Sequence, residues 1–253
     1  MRRAPFVLPL LALALAGCAS ATGGATQPAA ATAGTTTTSS AIPLEVRWYR
    51  ASAERRAIYL QTYRLAAATL ERRAAGSAAG SWGVILDADE TVLDNSPYQQ
   101  ELAERHAAYD EASWNAWVER AVAEALPGAA SFVARARELG GRVVIVTNRT
   151  EAQCGATRRN LARVAIAADE VLCRSDPKSG SKDPRFEAVE RGVAPSVLPP
   201  LRILMWVGDN IQDFPGLSQK IRTAPDGAFA DFGERFVVLP NPMYGSWERN
   251  PLP

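Results

Sequence analysis

Residues 82–98 of the 253-residue chain have the sequence WGVILDADETVLDNSPY, and this stretch decides the fold. The run Trp82–Leu86 contains only apolar or small residues and has the length of a single strand. An unbroken run of this kind is typical of a strand that is buried on both faces of a sheet. Acidic residues follow at once, at Asp87, Asp89 and Glu90, so the chain becomes charged where the predicted strand ends.

Further runs of this kind alternate with stretches rich in helix-forming residues. The other predicted strands are Arg142–Val146, Val171–Leu172, Arg202–Val207 and Phe236–Leu239. The predicted helices cover about 44–75, 128–139, 151–164 and 184–191. This alternation predicts an α/β fold, a Rossmann-like parallel sheet with helices on both faces. Residues 98–126 interrupt the alternation, and we expect them to form a small helical cap.

Polar side chains follow four of the predicted strands. In chain order they are Asp87 and Asp89, then Thr147, Asn148 and Arg149, then Lys178 and Lys182, then Asp209 and Asp213. Each cluster alone is weak evidence for a functional site, because an aspartate that follows a strand usually forms part of a turn or caps a helix. The carboxyl ends of parallel strands meet at one edge of the sheet, where such folds bind their ligands. The four clusters together therefore predict a functional site at that edge.

The acidic residues of these clusters suit a hard cation. Asp87 and Asp89 lie two positions apart on extended chain, so their side chains point in similar directions. With Asp209 they offer oxygen ligands, which favour Mg²⁺ over zinc. The single histidine and the three cysteines without a CxxC pair exclude a His-pair zinc site and a zinc ribbon.

A hydroxyl and an ammonium group complete a site for an anion. Thr147 supplies the hydroxyl, and either Lys182 or Lys178 supplies the ammonium group. Carboxylates, a metal ion and a lysine suit phosphoryl transfer, in which charge stabilisation and positioning supply most of the rate. The overall charge, with 28 basic against 27 acidic residues, argues against a nucleic-acid partner.

The N-terminus has the features of a bacterial lipoprotein signal. Residues 1–17 contain two arginines and then an apolar stretch too short to span a bilayer. Leu15–Cys18 resembles a lipobox, which implies that Cys18 is lipidated; the alternative is an ordinary secretory signal with a chance cysteine. We expect a lipid-anchored protein of the bacterial cell envelope, on the outer membrane and facing the periplasm. Residues 18–41 lack charged and large apolar side chains and are expected to be a flexible tether before the domain at 42–253.

Together the motifs resemble a known family. DADET, the threonine of VTNR, the lysine and GDNIQDF, in this order, resemble the four motifs of the haloacid dehalogenase superfamily. DADETVLDNSPY is more specific and resembles the class C, lipoprotein e-like acid phosphatases and 5'-nucleotidases. The resemblance extends from about residue 54 to the end, through SWNAWVERA, LPGA, KDPRF and LPNPMYGSWE.

The resemblance implies a catalytic role for several positions. Asp87 would be the nucleophile that forms an aspartyl-phosphate, and Asp89 would be the general acid and then the general base. Thr147 would donate a hydrogen bond to the phosphoryl oxygens, and Lys182 would neutralise them. The spacing to the following Arg-Phe favours Lys182, while Lys178 stays an alternative.

The same resemblance implies a metal site and its surroundings. Mg²⁺ would be held by the carboxylates of Asp87 and Asp209 and by the main-chain carbonyl of Asp89. Asp213 would lie behind these ligands and orient Lys182.

Substrate residues are implied as well. Trp114 of the cap and Tyr244 of the C-terminal loop match positions that flank a nucleobase or pyridine ring in this family, and Asn148 is expected to contact substrate. The alternative for Trp114 is packing of the cap against the body, which is the role expected of Trp117.

The resemblance predicts an Mg²⁺-dependent phosphomonoesterase that acts on nucleoside monophosphates and other small phosphomonoesters. The alternatives are an acid phosphatase without nucleotide preference, a hydrolase acting on carbon, and a non-catalytic lipoprotein that retains the fold. Cys154 and Cys173 should lie near one sheet edge, either as a disulfide or as two separately buried thiols.

Overall fold

The computed structural model describes residues 42–176 and 178–252. The predicted signal segment 1–17, the lipidation site Cys18 and the tether 18–41 lie outside the described residues. Among the described residues, no helix is both long and apolar enough to cross a membrane.

A parallel sheet of five strands forms the centre of the domain. In chain order the elements are α1 Leu44–Ala51, α2 Ala53–Ala74, β1 Trp82–Leu86, β2 Leu93–Asp94, α3 Ser96–Glu104, α4 Glu111–Arg120, β3 Glu124–Ala125, α5 Ala129–Glu138, β4 Arg142–Thr150, α6 Glu151–Arg163, β5 Glu170–Arg174, α7 Asp183–Arg191, β6 Arg202–Gly208 and β7 Phe236–Val238. The strand order is β5-β4-β1-β6-β7, and all neighbours in this sheet are parallel. After β1 the chain adds β4 and β5 on one side of it and then β6 and β7 on the other side, so the strand order reverses next to β1.

The strand β1 is buried on both faces, as its apolar run predicts. Val84 and Leu86 pack in one hydrophobic cluster with residues of α2, α5 and α6. Ile85 points to the opposite face and packs in a second cluster with Phe186 of α7. Helices therefore cover both faces of the sheet, and the predicted fold class is confirmed.

The helical segment predicted over 44–75 is present, but it is divided at Ser52 into α1 and α2. Ser52 is extended, and its hydroxyl accepts a hydrogen bond from the Arg55 N–H at 3.0 Å. A serine in this position caps the first turn of a new helix, so α2 begins directly after it. The other elements are present, and β4 runs on to Thr150, four residues beyond the predicted end at Val146.

The cap predicted for 98–126 contains two helices, as expected. Near its C-terminal end, β3 pairs antiparallel with β2, which lies before the predicted segment; this strand pair was not predicted. Trp117 of α4 is buried and donates from Nε1 to Asn95 Oδ1 at 2.8 Å. This bond ties the cap to the loop after β1, which brings the cap over the carboxyl edge of the sheet.

Candidate active site

Three carboxylates lie together at the carboxyl edge of the sheet. Asp87 directly follows β1, whereas Asp209 and Asp213 follow the neighbouring strand β6. One carboxylate oxygen of each lies within 4.8 Å of the others. The predicted convergence of the first and fourth clusters is therefore present in the structure.

Lys182 of the third cluster completes this group. Its side chain is 4% exposed, and its ammonium group donates to Asp87 and, at 2.6 Å, to Asp213 Oδ1. Lys178, the alternative, is exposed in the loop, where its main-chain N–H donates to Asp176 at 2.8 Å. Of the two lysines, Lys182 is the one beside the carboxylates.

A glycine at the end of β6 allows the close approach of Asp213. A Cβ atom added to Gly208 would lie 2.3 Å from the Asp213 side chain, a distance that real Cβ atoms do not adopt. Both Asp213 oxygens are engaged, because Oδ1 accepts from Lys182 and Oδ2 accepts from the Asn210 N–H at 2.9 Å. This arrangement suits the predicted task of orienting the lysine.

The electrostatics of the group are strongly perturbed. The pKa of Asp87 is raised to about 7, chiefly by burial; Lys182 opposes this rise, and the Asp213 and Asp89 carboxylates add to it. The pKa of Asp209 is also raised well above its usual range, by burial and by Asp213 and Asp87. Burial would lower the pKa of Lys182, but the two carboxylates more than reverse this effect. Such a concentration of like charge favours binding of a cation.

Asp209 is held by two residues from distant parts of the chain. Asn241 donates from Nδ2 to Asp209 Oδ2 at 2.9 Å, and the Thr91 hydroxyl donates to Oδ1 at 3.3 Å. The main-chain carbonyl of Thr91 in turn accepts from the Tyr63 hydroxyl at 2.6 Å. Asn241 was not predicted as a site residue, although it lies in the segment LPNPMYGSWE that carries the family resemblance.

Asp89 lies beside this group but has different partners. Its carboxylate accepts hydrogen bonds from the buried guanidinium of Arg149 and from Asn95 Nδ2. Arg149 belongs to the second polar cluster of the sequence, but no role was predicted for it. The arginine directly follows Thr147 and Asn148 on β4, and this adjacency was the available signal.

The two other residues of the second cluster differ in exposure. Thr147 is fully buried, and its hydroxyl accepts the Arg149 N–H at 3.1 Å. Asn148 is exposed, donates to the Gly180 carbonyl at 2.9 Å and accepts from Arg185 at 2.6 Å. Arg185 also donates to the Thr147 carbonyl, which fixes the end of β4 against the start of α7.

Two adjoining cavities open at this edge. The smaller, of about 170 Å³, is lined by all the acidic residues above and by Lys182. The larger, of about 580 Å³, extends under the cap and is lined by Trp114, among others. Asp89, Asn148 and Tyr244 line both cavities, so the two lie side by side. A phosphoryl group in the smaller cavity would leave the rest of a substrate in the larger one.

Trp114 and Tyr244 are both half-buried in the wall of the larger cavity. The Trp114 ring packs edge-on against Tyr98, with centroids 5.3 Å apart, and the Arg149 guanidinium lies 5.4 Å from its centroid. Trp114 therefore packs the cap and still faces the cavity, whereas Trp117 is buried.

Cys154 of α6 and Cys173 of β5 form a disulfide, with their Cα atoms 6.0 Å apart. Of the two alternatives, the structure has the pair rather than separate thiols. The bond joins the helix that follows β4 to the neighbouring strand.

The chain is similar to known acid phosphatases. A family model described as HAD superfamily, subfamily IIIB (acid phosphatase), matches residues 12–247. The class C acid phosphatase from Bacillus anthracis is 33% identical, with a TM-score of 0.73 over 81% of this chain and 85% of that chain. Its structure with tungstate bound gives a TM-score of 0.72. Acid phosphatase 1 of Solanum lycopersicum is 27% identical over 161 residues, which is 63% of this chain and 57% of the length of that relative.

Proposed function

Because this chain belongs to the acid phosphatases of HAD (haloacid dehalogenase) subfamily IIIB, we propose that it is an Mg²⁺-dependent phosphomonoesterase working through an aspartyl-phosphate. The observation that carries the proposal is the buried contact of Lys182 with Asp87 and Asp213 beside Asp209. Carboxylates and an ammonium group at the mouth of a cavity suit the binding and transfer of a phosphoryl group.

The reaction has two displacement steps. In the first, an Asp87 oxygen attacks phosphorus, the ester P–O bond breaks, and Asp89 gives its proton to the departing oxygen. In the second, water attacks phosphorus, Asp89 takes a proton from the water, and the bond between Asp87 and phosphorus breaks to release phosphate. Lys182 offsets the negative charge of the phosphoryl oxygens in both steps, and Thr147 donates a hydrogen bond to them.

The acidic residues fit a hard divalent cation, because every donor in the group is a carboxylate oxygen. In line with the resemblance, Asp87 and Asp209 would hold Mg²⁺ together with the main-chain carbonyl of Asp89, and Asp213 would orient Lys182, to which its Oδ1 is bonded. When bound, the ion supplies positive charge that stabilises the phosphoryl group during transfer.

The proposed substrates are nucleoside monophosphates. Two aromatic residues, Trp114 and Tyr244, line the larger cavity next to the charged group, and a base between them would gain stacking energy. A broad-specificity acid phosphatase is the second candidate, because the Trp114 ring also packs against Tyr98.

A hydrolysis assay tests the proposal directly. We expect the purified protein to release phosphate from p-nitrophenyl phosphate with Mg²⁺ and to lose this activity in EDTA. Full activity in EDTA would exclude the metal-dependent reaction. No activity with added Mg²⁺ would favour the non-catalytic lipoprotein, or a hydrolase acting on carbon, over a phosphatase.

The proposed location is the bacterial cell envelope, with a lipid anchor on Cys18. The lipobox-like sequence Leu15–Cys18 supports this location. We expect Cys18→Ser to move the protein from the membrane fraction to the soluble fraction with unchanged specific activity. A mutant protein that stays in the membrane fraction would exclude this anchor.

A further inference from the structure

We propose that Arg149 is a positioning residue that holds Asp89 for proton transfer, an inference that rests on the proposed function. The Arg149 side chain is 1% exposed. Its Nη2 and Nε donate to Asp89 Oδ1 at 2.7 and 3.0 Å, and Nε also lies 3.2 Å from Oδ2. Two nitrogens of one planar guanidinium therefore fix the plane of the carboxylate as well as its position.

The two oxygens of Asp89 are held unequally. Oδ1 accepts the two bonds from Arg149 and a third from Asn95 Nδ2 at 2.7 Å, which exceeds its two lone pairs. Among the described residues, Oδ2 accepts one longer bond, from Nε. We therefore assign Oδ1 as the anchored oxygen and Oδ2 as the oxygen that gives the proton to the leaving group and takes it from water.

Arg149 is itself held from three directions. Its Nη1 donates to the Thr157 hydroxyl of α6 at 3.3 Å, and its Nη2 donates to Asn95 Oδ1 at 3.1 Å. Trp114 of the cap lies against the guanidinium, and Trp117 donates to the same Asn95 oxygen. A side chain supported by the sheet, a helix and the cap keeps one geometry, which a positioning residue requires.

A second buried ion pair provides the matched control. Arg55 donates to Asp94 at 2.8 Å, with side chains 11% and 18% exposed, and neither residue lines the two cavities of the site. If Arg149 only neutralises a buried carboxylate and holds the fold together, both ion pairs should behave alike when the arginine is removed. Stability measurements alone would not separate these roles, so the experiment must report proton transfer.

The experiment compares a good leaving group with a poor one. We would measure kcat/KM for p-nitrophenyl phosphate and for glycerol 2-phosphate in the wild type, Arg149→Met, Arg149→Lys and Arg55→Met. Nitrophenolate leaves without a proton, whereas an alkoxide needs one, and positioned acid catalysis contributes about 10²- to 10⁴-fold. We expect Arg149→Met to reduce the alkyl phosphate rate roughly 10- to 100-fold more than the aryl rate.

The control variants should change the ratio of the alkyl phosphate rate to the aryl phosphate rate by different amounts. Arg149→Lys keeps the charge but loses the planar pair of donors, so we expect an intermediate shift in the ratio of the two rates. Arg55→Met should lower both rates by the same factor or leave both unchanged. In an Asp89→Asn background, Arg149→Met should leave the ratio unchanged, because the group that it positions no longer transfers a proton.

Equal losses on both substrates in Arg149→Met would overturn the inference. If that variant does not fold, Thr157→Val tests the same point, because it removes one support of the guanidinium; an unchanged ratio there would count against the inference. A wild type inactive on both substrates with Mg²⁺ would overturn the proposed function and this inference together. An active wild type with equal losses in the variant overturns the role of Arg149 alone.

Discussion

The two ends of the sheet use aspartate in opposite ways. At the amino end, Asp169 precedes β5 and accepts from Arg137 at 2.6 Å, from Arg142 at 3.0 Å and from the Val143 N–H at 2.9 Å. Its partial burial alone would raise its pKa, but these donors lower the pKa below the ordinary value. Positive groups of the fold thus neutralise this carboxylate.

At the carboxyl end, negative side chains outnumber the positive group that contacts them. Asp87 is buried and Asp209 is half-buried near Asp213, and Lys182 offers its ammonium group to two of these three carboxylates. The pKa values of Asp87 and Asp209 are raised, because burial and like charges disfavour their ionised forms. The charge of the aspartate is therefore balanced at the amino end of the sheet, whereas an excess of carboxylates remains at the carboxyl end, where the proposed site lies.

The largest expected effect comes from Asp87→Asn. Loss of the nucleophile should reduce kcat on p-nitrophenyl phosphate by about 10³-fold or more, since the Asp87 carboxylate oxygen can no longer attack phosphorus. The thermal midpoint of the metal-free protein should stay equal or rise, because one of several crowded like charges is removed. Turnover equal to that of the wild type, in a sample shown by mass spectrometry to keep the introduced amide, would contradict the assignment.

Metal binding should also distinguish the two ends of the sheet. Mg²⁺ at 100 times its Kd should stabilise the wild type by about 2.7 kcal/mol, which calorimetry would detect as a higher midpoint. Asp209→Asn should lose most of this increase, while Asp169→Asn at the other end of the sheet should retain it. An undiminished Mg²⁺-dependent shift in Asp209→Asn would place the ion elsewhere.

A smaller effect is expected from Trp114→Ala, which tests whether this residue binds the ring of the substrate. One aromatic face is worth roughly 1–3 kcal/mol to a stacked base, so Trp114→Ala should lower kcat/KM for a nucleoside monophosphate about 5- to 150-fold. An alkyl phosphate without a ring should be almost unaffected. Similar losses on both substrates, with a lower thermal midpoint, would assign Trp114 to packing and support the broad-specificity phosphatase.

The smallest effect is expected at the amino end. Asp169→Asn should lower the free energy of unfolding by about 1–2 kcal/mol near neutral pH, with kcat changed less than about twofold. Because the folded pKa of Asp169 is lowered, its contribution is complete above the unfolded pKa of about 4 and is lost as the pH falls through the folded pKa. Urea unfolding of both proteins from pH 3 to pH 7 would measure this; equal stability at pH 7 would remove the contrast between the two ends.

Much of this molecule could be predicted from local sequence. The strand Trp82–Leu86 has the bounds that its apolar run indicates, because a fully buried strand excludes polar side chains along its whole length. The positions of Asp87 and Asp209 at the ends of strands followed from the same runs, and parallel strands bring such ends together. The break at Ser52 was not predicted, because helix-forming residues on both sides of it hide the signal of a single capping serine.

Tertiary structure alone decided which distant side chains meet. The contacts of Lys182 with Asp87, of Arg149 with Asp89 and of Asn241 with Asp209 join residues 95, 60 and 32 positions apart. Sequence spacing favoured Lys182 over Lys178 but did not identify its partners. Hydrophobic periodicity reports whether a position is buried or exposed and carries no information about its partner across the fold. Those partners are set by how the strands are ordered and how the loops fold over their ends, so the charge balance of the site exists only in the assembled structure.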